Sequence, residues 1–428
     1  MSEQITTHPL KAAVANRNFR LLWIGGSISV LGSQFSLIAL PWLVLQLSDP
    51  QTLGLALALA GLSRAVFMLI GGAVTDRISP RKILLACDWL NFALSGLIAA
   101  LVVTQSIQIW MIYVFSLATG LLSGFVIPAA NSMTPRILPE KDLQAGNSLN
   151  MGTQQLMGFV GPALAGIIIG SYAQSITGVA LAFGFDAITF AFSAVMLSFI
   201  RGIDRLPTVH GETSAGQGIW ASIVTAARYV VGQDQLRLLF GVILLVNFLF
   251  TGPLLVGIPI LANERLAEGA AAFGLLMAGY AGGNLVGYIL AGVLPKLTGS
   301  MFSVVTVALI ASLGIVLAAF GWIESTWLDF ALMLGLGVEN GYISLVVFTR
   351  IQQSTPREML GRVMSMMMLS SMGLVPLSQA ISGVVGAWNL TALFVLAGGS
   401  LVMVAIWLAL NPSLKTLSTK MVGAASTD

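Results

Sequence analysis

The sequence predicts an all-α membrane protein: twelve transmembrane helices in two pseudo-symmetric bundles of six. Three observations predict it. Of 428 residues, 57% are hydrophobic and only 9% charged, against about 25% charged in a soluble domain. Apolar stretches of roughly twenty residues, enough to cross about 30 Å of hydrocarbon as a helix, recur along the whole chain. Lys and Arg, finally, collect on alternate sides of those stretches.

On the length criterion the helices fall at 20–46, 52–75, 82–105, 107–131, 147–173, 176–200, 236–262, 270–294, 301–323, 326–349, 361–386 and 389–411. Helix 1 opens with FRLLW, and helix 2 carries GLALALAG with Gly72 beyond it. Helix 3 rests on its apolar run, and helix 4 is followed by TPR at 134–136. Helix 5 is rich in Gly, and helix 6 carries LAFGFDAITFAFSAVML. The second six repeat these marks: LRLLF opens helix 7, GLLMAGYA sits in helix 8 with Gly292 beyond it, and TPR follows helix 10 at 355–357. A six-plus-six repeat of this kind is a parallel repeat of two bundles. The predicted organisation is a first bundle at 1–200, a linker at 201–235, a second bundle at 236–411 and a tail at 412–428. The linker holds DRLPTVHGETSAGQG and then IWASIVTAARYVV, whose Ile219, Trp220, Ile223, Ala227 and Val230 recur at helical spacing. That spacing predicts a helix lying on the membrane surface.

Charge tests the count. Eighteen of the 20 Lys and Arg fall in or beside the terminal segments, the linker and alternate loops; the other two are Arg265, on the opposite side, and Arg64, inside helix 2. The positive-inside rule then places both termini in the cytoplasm. A net charge of +3 gives no argument for nucleic acid. The one cysteine, Cys87, allows no internal disulfide, and His8 and His210 both fall outside the apolar runs. Without a nucleotide loop, a metal cluster or a nucleophile–histidine set, no enzyme and no cofactor is expected.

One loop carries a resemblance. In GGAVTDRISPRK, between helices 2 and 3, Gly72, Asp76, Arg77, Arg81 and Lys82 match the loop signature of the major facilitator superfamily, with Ser79-Pro80 where the signature has a Gly. PAANSMTPRILPEKDLQAGNSLNMGTQQLMGFVGPALAG, FDAITFAFSAVML and TPREMLGRVMS resemble the macrolide and siderophore exporters, the third drug:proton antiporter family. The resemblance spans essentially the whole chain. It implies the major facilitator fold, with helices 1, 4, 7 and 10 lining a cavity, helices 2, 5, 8 and 11 at the contact of the halves, and the rest peripheral. A bacterial inner-membrane location and a monomer are expected.

In that architecture Asp76 lies near the start of helix 11. An anion at a helix N-terminus gains roughly 0.3–1 kcal/mol, so Asp76 beside Arg362 would latch the halves on the cytoplasmic side. Arg77 and Arg81 could pair with Glu140 or Asp142. Gly279, Gly283 and Gly287 of helix 8, with Gly158, Gly161, Gly166 and Gly170 of helix 5, form small-residue stripes that let helices approach closely. They read either as a sliding surface between helices 5 and 8 or as static packing.

Four ionisable side chains are read inside spans: Arg64, Asp88, Asp186 and Glu339. Each costs about 2.5–3.5 kcal/mol at the bilayer centre, and such residues mark ion or substrate paths. Asp88 stands six residues past Lys82, about 9 Å of helix, within reach of the interface, and reads as structural. The other three are deep. With no histidine in a span, proton coupling falls to a carboxyl: Glu339 on helix 10 and Asp186 on helix 6, with Arg64 as counter-ion. Asp186 also reads as a structural partner of Arg64 or of polar groups on helices 1–5. Asn247, Tyr280, Asn284, Tyr288 and Asn340 are the candidate substrate contacts. The predicted activity is proton-coupled export of drug-like or siderophore-like amphipathic small molecules by alternating access. The alternatives are a lipid or lysolipid flippase, or a non-transporting membrane sensor.

Overall fold

A computed structural model describes residues 9–75, 77–172, 176–202, 228–295, 297 and 299–411. Twelve helices among them are long and apolar enough to cross a membrane. They are α1 (Arg17–Leu47), α2 (Pro50–Thr75), α3 (Pro80–Val103), α4 (Ile109–Ile137), α5 (Leu143–Ser171) and α6 (Thr177–Ser198). The second set is α7 (Leu236–Arg265), α8 (Ala270–Val293), α9 (Met301–Ala319), α10 (Thr326–Gln353), α11 (Val363–Trp388) and α12 (Leu390–Leu410). A short helix, Pro9–Ala15, precedes α1. No strand occurs among the described residues; helices bond their own backbone groups, as a span in lipid must. Of the expected surface helix only residues 228–232 are described, and they are helical; His8, His210 and the tail at 412–428 lie outside the described residues.

Local chemistry sets the boundaries. Asn16 caps α1, its Oδ1 accepting from the Asn18 and Phe19 amides at 3.0 and 3.1 Å. Pro50 and Pro80 stand at the first positions of α2 and α3, where a missing N–H costs nothing. Asn389 ends α11 and caps α12 by accepting from the Ala392 amide at 2.8 Å.

Two helices differ from the sequence reading. The helix expected at 361–386 is broken into Arg357–Met372 and Val375–Trp388. Pro376 has no N–H for the Met372 carbonyl, so the ladder stops there. In α7 the turn Pro253–Gly257 is a π-helix. Here the Ser378 hydroxyl of α11 enters the ladder, accepting from the Gly252 amide at 3.0 Å and donating to the Phe248 carbonyl. A side chain inserted between helical donor and acceptor is a recognised cause of a local distortion.

The chain forms two compact units. One is built from the chain up to Ser48, the stretch from Leu59 through α6, and Ala267–Ala278. The other takes Asp49–Ala58, α7 up to Leu266, and the chain from Gly279 on. In the first, α6 packs on α1 and α3, around Phe183, Ala182 and Ala194, none of them exposed. In the second, α9 packs on α12, where Phe320 and Phe394 stack at 5.7 Å.

Glycines set the closest approaches. The three of α8 face α10, where a Cβ on Gly283 would meet the Leu334 carbonyl and lie 2.9 Å from Gly337 Cα. The expected contact of this stripe with α5 is therefore corrected. The α8 residue that meets α5 is Gly274, against Gly166. In α2 the tightly packed glycine is Gly71, on the Gly124 carbonyl of α4, whereas a Cβ on Gly72 would meet nothing within 4 Å among the described residues.

Candidate functional site

Asp186 sits in the first unit, 2% exposed. Its Oδ2 accepts from Ser36 Oγ of α1 at 2.5 Å and from Ser95 Oγ of α3 at 2.9 Å. Its Oδ1 is buried with no partner. Gly32 makes the space: a Cβ there would fall 2.9 Å from that oxygen and would clash with Thr189. Among the described residues no hydrogen bond or ion pair joins Arg64 to Asp186; of the two kinds of partner expected for this acid, it is polar groups of α1 and α3 that meet it. Two serine hydroxyls can bind a carboxyl in either protonation state, so the site is closed without a cation.

Asp88 is buried, 6% exposed, on the face of α3 that packs against α6, with Ser193 of α6 beside it.

In the second unit Glu339 turns towards α9. Ser312 Oγ donates to its Oε1 at 2.6 Å, and Oε2 is buried without a partner. Asn340 beside it is half-buried. The other expected substrate contacts are largely engaged locally. Asn247 and Asn284 donate to the carbonyls of Ile243 and Tyr280 on their own helices, at 2.9 and 3.0 Å. Tyr280 lies against Phe250 with ring centroids 6.1 Å apart, and Tyr288 is half-buried.

In the loop signature, Asp76 and the Arg362 side chain lie outside the described residues. Arg77 and Lys82 are exposed. Arg81 donates from Nε to the Leu197 carbonyl at 2.9 Å and from Nη2 to the Ser198 carbonyl at 2.8 Å. The end of α6 offers unpaired carbonyls and a negative dipole end, a natural seat for a guanidinium. Glu140 is exposed and Asp142 buried. No ion pair joins Arg77 to either of them among the described residues.

Sequence reading passes over one acid. Asp329, in the first turn of α10, is fully buried with neither carboxyl oxygen partnered. Its electrostatic neighbour is Arg265, which donates to the Gly321 carbonyl at 2.7 Å and to Thr391 Oγ1 at 2.8 Å. The one cation on that side of the predicted topology thus ties the ends of α7, α9 and α12 together. Arg265→Met removes both charge-assisted bonds, each worth about 1.5–3 kcal/mol, and leaves Asp329 without a neighbouring cation. The detergent-solubilised variant is expected to melt well below the parent, and Asp329→Asn in the same chain to recover part of the loss. An unchanged melting temperature for Arg265→Met would show that the cluster bears no load.

Serine partners were the features least visible in the sequence. A signal did exist. Ser95 and Ser312 are 217 residues apart, the interval that separates FRLLW from LRLLF, so the third helix of each half offers a hydroxyl at the same level.

Comparison with known proteins agrees with this layout. The family model described as Major Facilitator Superfamily matches residues 22–378. An uncharacterized MFS-type transporter, y4rN of Sinorhizobium fredii, is 33% identical over 289 residues, covering 65% of this chain and 66% of that protein. The enterobactin exporter EntS of Citrobacter koseri is 27% identical over 369 residues, 84% of this chain and 81% of its own. Macrolide efflux protein A of Streptococcus pyogenes is 24% identical over 151 residues, 35% of this chain and 37% of its own. Among solved structures, the peptide transporter POT has a TM-score of 0.73 at 14% identity, covering 97% of this chain and all of its own length (100%). A bacterial homologue of the iron transporter ferroportin has a TM-score of 0.68 at 15% identity, covering 92% of this chain and 99% of its own.

Proposed function

Because the chain belongs to the Major Facilitator Superfamily, and is a transporter rather than an enzyme, we propose that it exports drug-like or siderophore-like amphipathic molecules in exchange for protons. The proposed setting is a bacterial inner membrane, with a monomer whose termini both face the cytoplasm. The siderophore and macrolide exporters among its relatives support the direction and the substrate class.

Glu339 carries the coupling reading. It is an acid inside a span, one oxygen held by Ser312 and the other buried and partnerless. A carboxyl so placed has a seat ready for one proton. A proton gradient supplies about 2.3 kcal/mol per charge per 100 mV, so inward protons can drive outward solute. Asn247, Tyr280, Asn284, Tyr288 and Asn340 are proposed as the groups offered to the solute. The test is the purified protein in proteoliposomes under an imposed pH gradient, with dyes, macrolides and siderophores. No gradient-dependent flux of any of them would overturn the reading.

The loop signature adds a second part. We propose Asp76 as the cytoplasmic latch, working beside Arg362. Asp76→Asn is expected to reduce transport to near background at normal membrane abundance, since it removes the charge and keeps the shape. Near-normal transport by that variant would remove the latch.

One observation favours a second reading, movement of a lipid. An apolar crevice of ≈ 860 Å³, lined by Phe35, Leu164, Ile168, Tyr172, Leu181 and Phe185 among others, opens on the first unit. Vesicles reporting lipid translocation, with and without the protein, separate this reading from solute export.

A further inference from the structure

The interface of α3 and α6 has a polar lining that the export reading does not use. On α3, Arg81, Asp88 and Ser95 recur every seven residues, and on α6 so do Asp186 and Ser193. Seven residues are close to two helical turns, so each set lies on one face. The helices run antiparallel: Ser95 bonds Asp186, and the same register sets Ser193 opposite Asp88. The acid of each helix stands opposite the serine of the other, the two pairs about 10 Å apart along the axis. Asn91 of α3 and Thr189 of α6 fall between the pairs, 8% and 2% exposed. Beyond Asp88 the row ends at Arg81, bonded to the last carbonyls of α6.

Hydroxyls alone would suffice to hold two membrane helices together. Two carboxyls bring a further property, since each can gain and lose a proton. Among the described residues no ion pair to a Lys or Arg is found at either acid. Arg17 and Arg20 stand in the first turn of α1, and α1 meets Asp186 with Gly32 and Ser36. On α4, which packs on α3, the one charged residue is Arg136, in its last turn. On α5, which packs on α6, there is none between Leu143 and Ser171. The thiol of Cys87 adjoins Asp88, and Lys82 is exposed.

We propose that this interface is a proton-binding site of the first unit, holding one proton on Asp88 and one on Asp186. The bonding around Asp186 fits the neutral acid. In that form Oδ2 is a carbonyl oxygen whose two lone pairs meet Ser36 and Ser95. The partnerless Oδ1, in a residue 2% exposed, carries the hydrogen. Each loading step forms one O–H bond and consumes one hydronium ion from water at the Arg81 end, which the proposed topology places in the cytoplasm. The use of these protons in transport rests on the export reading; their binding does not.

Infrared difference spectroscopy on the purified full chain, stepped in pH, reads protonated carboxyl groups directly. In Glu339→Gln, Asp329→Asn protein two pH-sensitive bands from buried carboxyls are expected. Asp186→Asn should delete one and Asp88→Asn the other. Ser95→Ala should shift only the first and Ser193→Ala only the second, which keeps the proposal testable if an acid variant fails to fold. Absence of any such band in Glu339→Gln, Asp329→Asn protein, or bands untouched by all four changes, would overturn it. The band lost between parent and Glu339→Gln reports on the coupling acid separately, so the two ideas fail independently.

Discussion

Glu339→Gln is expected to abolish proton-driven efflux while the protein still reaches the membrane in normal amounts. Glutamine keeps the length and planarity of the side chain and can still accept from Ser312, so the α9–α10 contact survives. What it loses is the ability to bind and release a proton at the buried Oε2. On the coupling reading, downhill movement of substrate without a gradient should persist. The measurement is a pair of fluxes in proteoliposomes, with and without an imposed pH difference. Full gradient-driven efflux by this variant would sink the coupling mechanism. Loss of both fluxes alike would instead assign Glu339 to substrate binding.

Gly283→Val is the second large effect, and it acts on folding. The Cβ of any residue at 283 would meet the Leu334 carbonyl and stand 2.9 Å from Gly337 Cα and from Val338 N. These are backbone atoms on a neighbouring helix, which cannot rotate away as a side chain would. Ordinary overpacking costs about 1–3 kcal/mol; a backbone-to-backbone clash stands at or above the upper end. In lipid no hydrophobic force drives helices together, so lost close approach has little to replace it. The variant is expected to be nearly absent from the membrane fraction, whereas Gly335→Val, on the same region of α10 with nothing within 4 Å of its Cβ, should accumulate normally. Equal abundance of the two would show that the α8–α10 contact is not needed for stability.

These two cases show where the sequence was legible. Glu339 stood out because a lone acid in an apolar run is costly, and that cost is visible residue by residue. Its partner was not, since Ser312 looks like any serine in a span until α9 and α10 are placed side by side. The glycine stripe of α8 was equally plain, but its neighbour was assigned to α5 and proved to be α10. Spacing reveals that a helix has a small-residue face without saying which helix occupies it. Asp329 escaped notice because an acid in a first turn reads as a routine complement to the helix dipole, and only its complete burial marks it as unusual.

The sequence by itself determined the class of the molecule: twelve spans, their order, the six-plus-six repeat and the asymmetry of charge. Each of these follows from local hydrophobicity and from the rule that backbone groups in lipid bond within their own helix. The tertiary structure alone decided which polar groups meet: Ser36 and Ser95 on Asp186, Ser312 on Glu339, and Ser378 in the ladder of α7. Such meetings depend on the rotation and register of one helix against another. Those are fixed by the sum of many small packing contacts between distant segments, and no single stretch of sequence contains them.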